Sequence, residues 1–170
     1  MSYGSAGVGS GSHFFGELFN VMAGTKIVHV PYTGTAQALT DLLAGRVQVM
    51  FSPASTVLQH VGDGKITALA STALRRASAA PELPTVAESG IPGFDTSGWF
   101  GLLAPAGVAR DIIERLARAT AEAAKSPDVI ASLQQQGYDM EGGTPAEFAA
   151  FIRNDLEKWA RVAAATGLKR

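Results

Sequence analysis

The chain has 170 residues, 46% of them hydrophobic and 17% charged, with a formal net charge of −1. That length and apolar content suit one domain or two small lobes and exclude global disorder. Five basic and six acidic residues precede Thr96, and nine of each sign follow, so neither half carries the basic footprint of a nucleic-acid binder.

The absence of cysteine removes disulfides, thiol nucleophiles and cysteine-based zinc sites. No apolar run reaches the length that spans a bilayer. Met1 is followed by small polar residues, not by a basic stretch and an apolar core, so no secretory leader is read. The expectation is a cytoplasmic chain if expressed as given, or one whose leader belongs to a longer precursor.

The chain opens with "YGSAGVGSGSHFFGELF" (Tyr3–Phe19). Glycine and serine lose much conformational freedom on ordering, so the stretch is either slack or a cradle of backbone N–H groups. Phe14, Phe15, Leu18, Phe19 and Met22 then recur at helical spacing, with Gly24 as the stop. "KIVHVPY" (Lys26–Tyr32) reads as a strand and "TAQALTDLLAGR" as a helix. "VQVMFSP" (Val47–Pro53) reads as a buried strand, "ASTVLQHV" as a short helix, and "ITALAST" (Ile66–Thr72) as a further strand. This alternation predicts a parallel α/β sheet.

Arg75–Gly98 is rich in Pro, Gly, Ser and Ala and reads as a surface crossing with one helical turn at "PTVAESG". "WFGLLAPAG" (Trp99–Gly107) is expected to restart as a strand. Two helices follow, in "ARDIIERLARATAEAAKSP" and "DVIASLQQQG", and "YDMEGG" is a short strand or turn. The last helix announces its start: Thr144 as N-cap, Pro145 at N1 and Glu147 at N3 make a capping box.

Three loops sit where parallel α/β sheets bind ligands, between a strand or opening loop and a helix N-terminus. They are Ser5–Ser12, Pro31–Ala36 and Phe51–Thr56, all small, hydroxyl-bearing and free of Lys, Arg, Asp and Glu. If they converge, they offer amides, hydroxyls and helix dipoles, which suits a carboxylate or other small anion. The plainer reading is that Ser10 or Ser12 merely caps its helix.

Enzyme signatures fail. The dinucleotide pattern begun at Gly7 and Gly9 meets Ser12 where a glycine is required, and the P-loop spacing from Gly4 to Gly9 meets Ser10 in place of lysine. No serine lies in a G-x-S-x-G elbow. His13, His29 and His60 show no metal-ligand spacing, and no metal or cofactor is expected. Trp99 and Phe100 read as core or as the wall of a cleft between lobes.

The order of "YGSAGVGSGSHFFGELFNVMAG", "IVHVPYTGTAQALTDLLAGRVQVMFSP", "GKITALASTALRR", "PELPTVAESGIPGF" and "WFGLLAPAG" resembles the Bug-type solute receptors of tripartite tricarboxylate transporters. "GGTPAEFAAFIRNDLEKWARVAAATGLK" is similar to that family's C-terminal helix.

The resemblance implies a type II periplasmic-binding-protein-like α/β fold. Residues 1–95 would form one nearly complete ligand-binding lobe, and residues 96–170 the returning C-terminal part of the other. It also implies a periplasmic protein that holds a small carboxylate, works with membrane transporter subunits and is not an enzyme. By position, Ser5, Ala6, Gly7, Gly9 and Ser10 of the first loop, Tyr32 and Gly34 of the second, and Ser52 and Pro53 of the third are expected to contact the ligand.

The sequence departs from the family at Thr33, where lysine is common, and at "APAGVA", where "APAGTP" is usual. The family's chains are also longer, so the opposing wall of the cleft is expected to be largely missing. The strand at Trp99 and the final helices would then need the missing part, self-association or repacking to cover them. Two other readings stand beside this one. One is a small α/β serine hydrolase using Ser10 or Ser12 with His13; the other is a non-binding remnant that self-associates.

Overall fold

The computed structural model describes residues 1–167; the last three residues of the expected 96–170 segment lie outside the described residues. A three-stranded parallel sheet, ordered β2–β1–β3, is built from β1 (Ser2–Ser5), β2 (Val28–Pro31) and β3 (Val49–Met50). Three helices alternate with these strands: α1 (Gly11–Ala23), α2 (Thr35–Leu43) and α3 (Ala54–Gly62). After a long irregular stretch come α4 (Arg110–Ala123), α5 (Pro127–Gln135) and α6 (Pro145–Thr166).

The central strand is the one that the sequence reading placed inside the opening loop. β1 pairs with β2 from Ser2↔Val28 to Ser5↔Pro31, and with β3 at Tyr3↔Val49 and Gly4↔Met50. "SYGS" has only one large side chain, so its apolar pattern is faint. Its strand character comes from two flanking ladders that satisfy its backbone.

Alternation along β1 sends Tyr3 and Ser5 to one face and Gly4 to the other. The Tyr3 face packs beneath α1 and beside Ile27, Phe51, Val86 and Phe94, which form the main core. The Gly4 face meets Ala38 of α2 and Val47. Phe19 reaches Phe51 and Phe94 edge-on or tilted, with ring centroids about 6 Å apart, a favourable arrangement for aromatic pairs.

Two expected strands do not form. Ile66–Thr72 contributes only an isolated parallel bridge, Ser71↔Thr85. Trp99–Gly107 has no strand pairing, and "YDMEGG" is likewise irregular. A strand needs a neighbour to receive its ladder bonds. Among the described residues none runs beside Trp99–Leu103, and Phe100 is 84% exposed.

The expected turn at "PTVAESG" is present. Thr85 N–H donates to Glu88 Oε2 at 2.7 Å, Glu88 N–H donates to Thr85 Oγ1 at 3.0 Å, and Ser89 N–H closes on the Thr85 carbonyl. The Thr144–Glu147 capping box of α6 is also complete. α6 returns to the first half of the chain, where Trp159 lies against Phe14 and Phe15 of α1 at 5.8 and 5.5 Å.

Candidate ligand site at the carboxyl edge of the sheet

Parallel pairing makes β1, β2 and β3 end on one edge. The three charge-free loops leave from that edge, and each opens a helix. The first turns offer the amides of Gly11 and Ser12 in α1, Thr35 and Ala36 in α2, and Ala54 and Ser55 in α3. None of these donates to an acceptor among the described residues. Free first-turn amides and the helix dipoles together favour a negative group at such an edge.

The first loop is tightly built. Ser10 is the N-cap of α1, its Oγ accepting from His13 N–H at 3.3 Å and donating to the Gly7 carbonyl at 2.7 Å. Ser12 Oγ accepts the Ala6 N–H at 3.0 Å and lies 3.1 Å from Ser10 Oγ. Gly7 and Gly9 stand at φ 123° and 78°, which favour glycine. A Cβ on Gly7 would also meet the Tyr32 carbonyl oxygen at 3.0 Å. The stretch is therefore an ordered turn, not slack.

Ser5 is fully buried. Its Oγ accepts Gly7 N–H at 3.1 Å and lies 2.6 Å from His29 Nε2, so its side chain shapes the loop from beneath. Its carbonyl accepts the Tyr32 N–H at 3.1 Å, tying the first loop to the second. The Tyr32 hydroxyl turns back to donate to Asp41 Oδ2 at 2.8 Å, which leaves Gly34 as the extended N-cap of α2. In the third loop Ser52 Oγ donates to the Pro53 carbonyl at 3.3 Å, and Pro53 caps α3 without a side-chain bond.

Beside Gly9 and Gly11 lies a cleft of about 280 Å³, walled by Phe14, Trp99 and Trp159, with Asp155 at its side. Trp99 Nε1 donates to Asp155 Oδ2 at 2.9 Å. Phe100 is not part of this wall; it meets Tyr138 edge-on at 5.5 Å.

The expected pairing of Ser10 or Ser12 with the His13 ring is not formed. His13 Nδ1 accepts the Gly9 N–H at 3.1 Å, and both serine hydroxyls are engaged within the loop. The residues missed from sequence are His29 and Glu17. His29 is brought to Ser5 by the β1–β2 register, and Glu17 accepts from the Tyr3 hydroxyl at 2.7 Å. Only the i, i+4 spacing of His13 and Glu17 hinted at a shared helix face. Among the described residues no cluster of His, Asp or Glu is placed to hold a metal ion.

The sequence pattern of the tripartite tricarboxylate transporter family receptor matches residues 1–168. The chain belongs to this receptor family. It is 36% identical over 163 residues to a protein from the tcbD-tcbE intergenic region of Pseudomonas sp. strain P51, covering 95% of this chain and 48% of that one. It is 36% identical over 162 residues to the protein BugT of Bordetella pertussis, covering 95% and 50%. The chain thus spans about half the length of both relatives.

Solved structures agree. An R. palustris protein with adipate superposes with a TM-score of 0.88 at 33% identity, covering 99% of this chain and 56% of that one. The periplasmic binding protein BugD gives 0.83 at 29%, covering 99% and 57%. MatC from Rhodopseudomonas palustris with bound malate gives 0.80 at 29%, covering 95% and 56%. The fold of this receptor-family chain is the periplasmic-binding-protein α/β fold, present in part, and the family is one of substrate-binding receptors, not of enzymes.

Proposed function

We propose that this chain supplies one wall of a carboxylate-binding cleft in an extracytoplasmic solute receptor serving a tripartite transporter. The observation that carries this reading is the convergence of three charge-free loops and three helix N-termini on one sheet edge. Each N-terminus contributes about 0.3–1 kcal/mol toward an anion. Such a site recognises a carboxylate through amides and hydroxyls, without a cationic clamp. Two structural neighbours bear adipate and malate, which supports a small aliphatic carboxylate as the solute class.

The contacts are assigned to the backbone of Ala6, Gly7 and Gly9, the hydroxyls of Ser10 and Ser52, and the backbone at Tyr32, Gly34 and Pro53. Ser5 acts from below. Residues 1–95 would form the ligand lobe and the rest the returning part of the other. Periplasmic location, docking to transporter subunits, and burial of the apolar Trp99–Leu103 segment by self-association complete the proposal.

The test is calorimetry and thermal shift with a panel of di- and tricarboxylates, adipate and malate included. Saturable binding that is lost on Gly7→Ala supports the reading. Absence of binding across the panel, both by this chain and by a version extended to the relatives' length, overturns it.

A further inference from the structure

Two imidazoles stack directly beneath the glycine-serine loop. His13 from α1 and His29 from β2 lie with ring centroids 3.9 Å apart and planes 14° from parallel. Tyr3 covers the other face of His29 at 5.0 Å. The placement follows from the fold. The register Tyr3↔His29 puts these two side chains on one face of the sheet, and α1 crosses that face with His13 turned inward and 4% exposed.

Each ring reaches the loop through one nitrogen. His13 Nδ1 accepts the Gly9 N–H at 3.1 Å. His29 Nε2 pairs with Ser5 Oγ at 2.6 Å, and that oxygen in turn accepts the Gly7 N–H. The two positive-φ glycines of the loop therefore hang from the two histidines. An imidazole that accepts at Nδ1 carries its proton on Nε2 and is neutral. Protonated, it would set a donor against the Gly9 donor, and two charged rings at stacking distance would repel.

We propose that the stacked His13–His29 pair positions the carboxylate loop only while both rings are neutral, so that protonation loosens the loop and releases its ligand. This rests on the carboxylate reading of the same loop. The surroundings favour the neutral pair. Burial lowers the pKa of both rings, and His13 lowers that of His29 further. Glu17, on the same helix as His13, acts in the opposite sense on both rings but does not reverse the direction. From the β1 side the titratable group is Tyr3, whose phenol is held protonated above its ordinary range by burial and by Glu17. From α6, Asp155 lines the cleft beside Gly11 and Phe14 of α1; it and Lys158 are engaged with each other and with Trp99 and Asp95.

The test uses two isosteres that cannot titrate. His13→Asn keeps an acceptor at the Nδ1 position, and His29→Gln keeps a polar group at the Nε2 position. Adipate affinity is measured by calorimetry from about pH 7.5 down to about pH 4, because burial places both rings below the ordinary imidazole value of about 6.5. The wild type is expected to lose about tenfold per pH unit for each coupled proton below the titration midpoint. The double variant, measured beside it, is expected to show only the loss that protonation of adipate's own carboxyls causes. In parallel, amide NMR of the ligand-free protein follows Gly9 and Gly7, whose shifts are expected to move with the His13 and His29 midpoints.

A wild-type profile that follows the variant's overturns the proposal and leaves the carboxylate reading intact. So does affinity that rises in acid, the outcome if the rings simply attract the anion. If no carboxylate of the panel binds at any pH, either to this chain or to a version extended to the relatives' length, while Gly9 still follows His13, the carboxylate reading fails and the coupling of rings to loop stands. Glycine amides indifferent to imidazole titration overturn the coupling itself.

Discussion

The ring of Tyr3 occupies the space where a Cβ on Gly16 would stand. α1 can lie this close to the central strand because residue 16 has no side chain, and the contact brings the Tyr3 hydroxyl to Glu17. Gly16→Ala is expected to destabilise by about 1–3 kcal/mol through overpacking, although alanine is the better helix former. Urea unfolding checks this. The double variant Gly16→Ala/Tyr3→Leu should cost less than the sum of the two single changes, because the clash is removed with the ring.

Gly9 has open space around its missing Cβ but sits at φ 78°, whereas at Gly7 a Cβ would also meet the Tyr32 carbonyl. Gly9→Ala is therefore expected to cost about 1–2 kcal/mol, the ordinary penalty for a left-handed L-residue. Gly7→Ala should cost more, and should separate the first loop from the second. Thermal unfolding ranks the two, and carboxylate affinity should fall in the same order.

Asp95, in the irregular stretch between α3 and α4, joins α6 through Lys158 at 3.1 Å, with both side chains about a quarter exposed. Burial raises the carboxyl's pKa, but the Ser97 hydroxyl and amide and the Lys158 ammonium outweigh it and leave the value below the ordinary range. A lowered native pKa means that the unfolded chain takes up the proton first as pH falls. The stability this group contributes is present above the ordinary carboxylate pKa, near about 3.9, and is lost as pH drops through the lowered value. Asp95→Asn should cost about 1 kcal/mol at neutral pH and should flatten the acid limb of stability, read from denaturation midpoints at neutral and acid pH.

Thr144 Oγ1 accepts the Glu147 N–H while Glu147 Oε2 accepts the Thr144 N–H. Thr144→Ala is expected to cost about 1 kcal/mol of helix stability and to fray the first turn of α6. Amide hydrogen exchange at Glu147 and Phe148 should rise, with little change near Trp159.

Phe100, Leu102 and Leu103 are 84%, 67% and 69% exposed in an unpaired extended segment. The chain should bind an apolar-surface dye, and Phe100→Ser/Leu103→Lys should reduce that signal by half or more. Sedimentation of the same pair reads whether self-association falls with it. Dye binding unchanged by the substitutions would place the exposed surface elsewhere.

By itself the sequence determined the helices and the chemistry of the loops. Helical bonds are local, so spacing, the Thr144 cap and the Gly24 stop suffice to read them. The absence of charge in Ser5–Ser12, Pro31–Ala36 and Phe51–Thr56 is composition, and it already pointed to an anion held by amides. Tertiary structure decided which extended stretches became strands. "SYGS" is the central strand because Val28–Pro31 and Val49–Met50 flank it, while the more apolar Trp99–Leu103 stays unpaired because, among the described residues, no strand runs beside it. It also decided the role of the histidines. Sixteen positions separate His13 from His29, and only the register of β1 on β2 and the seating of α1 on Tyr3 through Gly16 bring the rings into one stack. Such contacts depend on residues far apart in the chain, so local pattern does not encode them.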